Sequence, residues 1–256
     1  MGRMKDKLLN YLPAALLFAA VIAAWQAAVT FGGLRPYLLP SPASVLDAMF
    51  DPTIRWWGHI WATGVAIIGA FLLAAVSGVF LGCLVAWSPV INRALMPFLV
   101  FLNTLPKVAI APLFLIWVGY GIFPNILMGA LIGFFPVVIN TAVGLSQIDH
   151  DMIDLGWVFS APKWKVFLKI RIPNAYPYIL SALKVTATSA VVGAIVGEFV
   201  ASQNGLGYVI VTSQSSMNTA LAFAALIYIS LIGLVLFAAV GLLSRILAPW
   251  AEGNEA

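Results

Sequence analysis

Charge is scarce in this chain. Of its 256 residues only 9% are Asp, Glu, Lys or Arg, against 62% hydrophobic, and the mean hydropathy is +1.03. Soluble domains carry roughly 25% charged residues. A soluble core of this length could not hide so much apolar surface, so the scarcity excludes a soluble globular protein and points to an integral membrane protein. Cysteine is rarer still: Cys83 stands alone in an apolar run, which excludes an internal disulfide and reads as a small core residue. There are two histidines, His59 and His150, and no Cys/His/Asp/Glu cluster has metal-ligand spacing. No G-x-x-x-x-G-K-[ST] loop occurs, so ATP is not bound by that route and the energy source lies elsewhere. The formal net charge of +4 does not imply nucleic acid, because the basic residues of a membrane protein mark its cytoplasmic side. A transmembrane β-barrel is also a poor fit: barrel strands alternate in hydropathy, and the runs here are apolar on every face.

Those runs are what the chain has in abundance. Charge-free stretches longer than about 18 residues mark spanning helices. No charge occurs between Lys7 and Arg35, which predicts a first span near Leu12 to Phe31, without the small-residue cleavage site of a removed signal peptide. "LLPSPASVLDAMF" then predicts a short helix on the membrane surface, with Ser41 as N-cap, Pro42 at N1, and Val45, Leu46 and Met49 on one side. A second span is expected from Trp61 to Trp87, a third from Pro97 to Val118 and a fourth from Pro124 to Leu145, the last two joined by the hairpin turn "GYGIFP". A fifth runs from Tyr176 to Val200 and a sixth from Ala220 to Leu243, separated by the polar, uncharged residues 202–219. The expectation is one transmembrane domain over residues 1–256, with a cytoplasmic loop at 146–175 and both termini on one side. With the N-terminus inside, that side holds Arg3, Lys5, Lys7, Arg93, Lys163, Lys165, Lys169, Arg171 and Arg245, and the other holds only Arg35 and Arg55. The imbalance places the termini and the loop in the cytoplasm.

Within the loop, "DMIDLGWVFSAPKWKVFLKIRIP" concentrates Asp151, Asp154, Lys163, Lys165, Lys169 and Arg171 between apolar spans. From composition alone it reads equally as a basic helix resting on anionic lipid or as a docking element. Spacing adds a further observation. Asp154-Leu155-Gly156, then three residues to Ser160, then nine to Ile170-Arg171-Ile172-Pro173, resembles the EAA loop of ABC-importer permeases. That loop reads E-A-A, three residues, Gly, nine residues, I-x-L-P. Here Asp154 stands for Glu, Leu155 and Gly156 for the alanines, and Ser160 for the turn glycine. The stretches "LPKVAIAPLFLIWVGYGIFPNIL", "FFPVVINTAVGL", "PNAYPYILSALKV" and "GEFVASQNGLGYVI" extend the resemblance over residues 36–245, to permeases of the nitrate, sulfonate, taurine and bicarbonate group.

This resemblance implies an all-α membrane protein with six transmembrane helices of the type I ABC importer permease fold. It implies a homodimer, cytoplasmic ATPase subunits that dock on the loop and hold ATP and Mg, and a solute-binding protein that delivers cargo. The permease itself would be non-catalytic, bind no cofactor and no nucleic acid, and sit among lipid in the bacterial plasma (inner) membrane. Asp154, Leu155, Gly156, Ser160, Ala161, Pro162, Ile170 and Pro173 would form the ATPase-coupling contact. The cargo would be a small anion, with a thiamine-precursor pyrimidine or other heterocycle as the alternative. A reading from another class is an ion-driven secondary transporter, which requires carboxylates at the bilayer midplane.

Polar residues within the spans are the pathway candidates: Asn103, Thr104, Lys107, Asn140, Thr141 and Glu198. Lys107, between Pro106 and Pro112, either serves the pathway at depth or snorkels to the cytoplasmic interface. Asn103, Thr104, Asn140 and Thr141 suit helix packing or the path lining. Glu198 would repel an anion and is assigned a structural or gating hydrogen bond, and Gly205-Leu206-Gly207-Tyr208 a turn or part of an outer gate. Gly64, Gly69 and Gly78 are expected to form a close-packing face.

Overall fold

The computed structural model describes residues 2–249, apart from residues 34, 149–150, 153, 155–157 and 159. Regular structure among the described residues is entirely helical: α1 (Gly2–Phe31), α2 (Pro42–Met49), α3 (Trp56–Trp87), α4 (Pro89–Thr104), α5 (Lys107–Val118), α6 (Ile122–Ser146), α7 (Lys163–Val166), α8 (Ile172–Ala201), α9 (Leu206–Ser215) and α10 (Thr219–Leu247). Five stretches are long and apolar enough to cross a membrane: Leu12–Phe31, Trp56–Trp87, Ile122–Ser146, Lys163–Val200 and Thr219–Leu247. Counting the bent pair α4 and α5 as one span makes up to six.

The chain divides into two compact units. One comprises Met1–Trp56 and Val209–Ile227. Here α2 begins as its residues dictate: Ser41 sits in the extended region and its hydroxyl accepts from the Ser44 N–H at 3.1 Å, with Pro42 leading the helix. Val45 is buried, while Leu46 faces outward. Trp25 Nε1 donates to the Pro40 carbonyl at 3.0 Å and its ring meets Phe223 at 5.6 Å, and Thr219 donates to the Tyr37 carbonyl. The apolar side chains of α1, including Leu16, Phe18 and Val21, are exposed, as lipid contact requires.

The other unit comprises Trp57–Tyr208 and Tyr228–Ala256. Its centre is the α6–α8 pair, whose backbones meet because glycine removes the side chain between them. A Cβ on Gly193 would lie 2.8 Å from the Met128 carbonyl oxygen and 2.9 Å from the Gly129 nitrogen. Thr186, fully buried, donates across the same seam to the Gly133 carbonyl at 3.1 Å. Of the α3 glycines, Gly69 and Gly78 pack on Ile126 and Val137. A Cβ on Gly64 would meet nothing within 4 Å, and Gly82, against Thr141, completes the face instead. A second apolar cluster of Val85, Leu99, Phe135, Val138 and Ala142 joins α3 and α4 to α6.

Three segments differ from the sequence expectation. The expected single span from Pro97 to Val118 is two helices bent by 95°. Pro106 has no N–H to continue the helix and holds Leu105 in extended backbone, whereas Pro97 and Pro112 are absorbed within α4 and α5. Residues 163–171, expected in the loop, are helical and run into α8 through a π turn at Phe167–Arg171. That wider turn, with the Ile172 N–H bonded to the Phe167 carbonyl, makes room for Pro173, which would otherwise clash with the preceding turn. Finally, the polar stretch 202–219 contains α9. The hairpin turn is as expected, with Gly119 at φ +82° and Gly121 at φ +135°, geometries that favour glycine.

Candidate functional site

Near the end of α8 the chain turns back on itself around one buried carboxyl group. After Ala201, the Ser202 hydroxyl bonds the Asn204 carbonyl, Gly205 takes φ +117°, and α9 begins at Leu206. The first N–H groups of a helix have no partner within it. Here they are received by side chains of α3 and α8. Gly207 N–H donates to Glu198 Oε2 at 2.7 Å, and Leu206 N–H donates to Thr63 Oγ1 at 2.8 Å. The Thr63 hydroxyl in turn donates to Glu198 Oε1 at 2.8 Å, and Gly205 N–H donates to His59 Nδ1 at 3.1 Å. The His59 ring stacks on Tyr208 at 6.2 Å. Glu198 is 2% exposed and Thr63 fully buried. A Cβ on Gly205 would stand 2.5 Å from the Glu198 carboxyl carbon, so this glycine answers both a backbone and a space requirement. The arrangement latches α3, α8 and the start of α9 together. Thr63, which binds Glu198, and His59, which binds the Gly205 N–H, were missed from sequence, since they lie 135 and 146 residues from the groups they bind.

Beside this latch lies a cavity of about 350 Å³, bordered by Tyr120, Asn125, Glu198, Gln203 and Asn204. Asn125 is 2% exposed, and its Oδ1 receives no hydrogen bond among the described residues.

Lys107 and Asn103 meet at the α4–α5 break. Lys107 Nζ donates to Asn103 Oδ1 at 2.7 Å and to the Asn103 carbonyl at 3.2 Å, and lies 5.2 Å from the centre of the Phe135 ring. A cation at the last carbonyls of α4 is favoured by the helix dipole, and it braces a bend that lacks backbone continuity. Thr104, Asn140 and Thr141 lie apart from this contact, and the Thr141 hydroxyl is buried without a hydrogen-bond partner among the described residues. Thr104 donates to the Phe101 carbonyl at 2.7 Å, Asn140 to the Pro136 carbonyl at 2.8 Å, and Thr141 is buried against Gly82.

In the loop, Leu155 and Gly156 lie outside the described residues, as does His150. Asp154 is helical and exposed. Ser160 is exposed and adopts φ +50°, the left-handed turn geometry that glycine takes without cost. Pro162 is the N-cap of α7. Ala161 borders a cavity of about 440 Å³ with Trp87, Pro89, Lys163, Phe167 and Arg171, closed on one side by the edge-to-face contact of Trp87 and Phe167 at 5.0 Å. Ile170 and Pro173 are half-buried in the continuous turn into α8. Asn174, which the sequence did not single out, donates to the carbonyls of Gly144 at 3.2 Å and Gln147 at 2.8 Å. It caps the end of α6 from the start of α8 and so fastens the two feet of the loop.

Residues 78–251 match the family described as binding-protein-dependent transport system inner membrane component. The chain is 36% identical to the riboflavin transport system permease protein of Chloroflexus aurantiacus, over 93% of this chain and 89% of that one. It is 32% identical to the formylaminopyrimidine transport permease protein of Halalkalibacterium halodurans, over 93% and 95%, and 31% identical to the putative aliphatic sulfonates transport permease protein of Bacillus subtilis, over 94% and 88%. A chain of the inward-facing MetNI methionine ABC transporter superimposes with a TM-score of 0.67 at 16% identity, covering 78% of this chain and 100% of that one.

Proposed function

Because this chain belongs to the binding-protein-dependent transport system inner membrane components, and so is the non-catalytic permease component of an ABC importer, we propose that it imports a small nitrogen heterocycle of the pyrimidine or flavin type. The observation that carries the cargo class is the relatives at 36% and 32% identity, whose names specify riboflavin and formylaminopyrimidine. A cavity of about 350 Å³ bordered by the amide side chains of Asn125, Gln203 and Asn204, which both donate and accept, agrees with a cargo that presents ring nitrogens and N–H groups. The second reading is a small anion of the nitrate, sulfonate, taurine or bicarbonate class, favoured by the sulfonate permease at 31% identity.

An importer permease implies ATPase and binding-protein partners. In our reading two copies of this chain pair around one path, with their termini and the loop in the cytoplasm of the inner membrane. The ATPase docks on Asp154, Leu155, Gly156, Ser160, Ala161 and Pro162, with Ile170 and Pro173 setting the entry into α8. The left-handed turn at Ser160 and the loop feet joined by Asn174 support this assignment. The test is reconstitution of the complex in vesicles with its binding protein loaded with a hydroxymethylpyrimidine, riboflavin, taurine or nitrate. Stimulation of ATP hydrolysis and uptake by a heterocycle is the expected result. Stimulation by nitrate or taurine alone overturns the cargo class, and uptake that persists without ATP but collapses with the proton gradient overturns ATP-driven import.

A further inference from the structure

A cavity of about 660 Å³ opens between α8 and the last turns of α10, bordered by Leu180, Ser181, Lys184, Phe237, Leu242 and Arg245 among others. Its chemistry is the reverse of the cavity beside Glu198. Among the described residues, the charged groups on its wall are both cations, Lys184 and Arg245.

Lys184 is the more telling of the two. It follows Ile172, the first residue of α8, by 12 positions, which places it roughly 18 Å along the helix at about 1.5 Å per residue. A lysine that far into an apolar span is expensive unless it meets water or an anion. Lys184 has no hydrogen-bond or ion-pair partner among the described residues. It also lies in a polar stripe: Ser181, Lys184 and Thr188 are spaced by three and four residues, so they share one face of α8, and Ser181 and Thr188 are exposed. Arg245 lies in the last turn of α10 and borders the same cavity. Lys184 on α8 and Arg245 on α10 thus border one cavity, with Leu180, Phe237 and Leu242 as apolar wall. Phe237 and Leu242 remain 42% and 60% exposed, so an acyl chain could lie along the same surface.

We propose that this cavity is an oxyanion site in which Lys184, with Arg245 on the same wall, holds a phosphate or sulfate-like group. The group comes either from an anionic phospholipid of the surrounding leaflet or from a small free oxyanion, and basic recesses between membrane helices suit both. The site does not depend on the cargo class, and it differs from the latch in position and charge.

The experiment uses the intact importer complex. In one arm, native mass spectrometry measures how much dioleoylphosphatidylglycerol, relative to dioleoylphosphatidylcholine, stays bound to the wild type, Lys184→Met and Lys184→Arg. In the other, inorganic sulfate is titrated calorimetrically into the same proteins in phosphatidylcholine nanodiscs. Losing one charge-assisted contact should weaken binding by roughly tenfold in Lys184→Met, while Lys184→Arg stays within about twofold. A loss confined to phosphatidylglycerol identifies the lipid as the source, and a loss confined to sulfate identifies a free oxyanion. The wild type needs no variant to judge it: no preference for phosphatidylglycerol together with no sulfate binding overturns the proposal. Equal binding by the wild type and Lys184→Met in both arms overturns it as well.

Discussion

Thr63→Val keeps the shape of the side chain and removes one oxygen. That oxygen serves two contacts, donating to Glu198 Oε1 and accepting from the Leu206 N–H, each at 2.8 Å, inside a site where Thr63 is fully buried and Glu198 2% exposed. A buried polar group left without its partner costs about 1–3 kcal/mol, so stranding two predicts a loss of about 2–6 kcal/mol. The added methyl returns at most about 0.8 kcal/mol of apolar transfer. Water in the neighbouring cavity of about 350 Å³ can resolvate one stranded group, which favours the lower half of the range. For a chain of this size each kcal/mol moves the midpoint by roughly 2–4 °C, so thermal unfolding in detergent should shift down by roughly 5–15 °C. Thr63→Ser retains the oxygen and should stay close to wild type. A Thr63→Val midpoint within about 2 °C of wild type, or a serine variant as damaged as the valine one, refutes the reasoning that this hydroxyl holds the latch.

Gly193→Leu should abolish accumulation in the membrane fraction, because a Cβ there meets backbone atoms of Met128 and Gly129 that cannot yield, whereas Gly64→Leu, with nothing within 4 Å, should accumulate normally by immunoblot. Asn174→Leu strands two terminal carbonyls of α6. It should insert normally and keep basal ATP hydrolysis in the reconstituted complex, but lose cargo stimulation by roughly tenfold; equal loss of both rates would show a folding defect instead. Lys107→Met and Asn103→Leu should lower the midpoint similarly and non-additively, since they remove the same contact, and a double variant that merely adds the two losses would count against the brace at the α4–α5 break.

Much of this fold was legible because lipid imposes a simple rule on composition. Charge-free runs marked the spans, Ser41-Pro42 marked the start of α2, and the glycines of "GYGIFP" marked the turn. What failed was anything that depends on which helix faces which. Three prolines fall within the expected span from Pro97 to Val118, and only Pro106 breaks it; the helices tolerate Pro97 and Pro112. Gly64 and Gly82 are alike in sequence, yet only Gly82 faces α6. A turn or part of an outer gate was expected at Gly205–Tyr208, but α9 begins at Leu206, and its polar residues bond preceding carbonyls, as Ser215 does to Val211 at 3.2 Å. Glu198 could be singled out by its cost in an apolar span, while Thr63 and Asn174, ordinary polar residues, acquire meaning only from distant partners.

The two most constrained features of the larger unit lie at opposite ends of one helix. α8 is 30 residues, about 45 Å by its rise, with Asn174 and the proposed coupling segment at its start and Glu198 near its finish. Along that length α6 is held at close range by Gly144 on Tyr178, Gly133 on Thr186, Gly129 beside Gly193, and Gly197 on Asn125. Close-packed seams of this kind have discrete arrangements and resist gradual bending. A displacement of the start of α8 would therefore not be absorbed between α6 and α8. It is taken up where α8 meets groups outside that pair, and at its far end those groups are the Thr63 hydroxyl of α3 and the Gly207 N–H of α9. The contacts of Glu198 are thus where α8 is tied to α3 and α9, at the end opposite the proposed coupling segment.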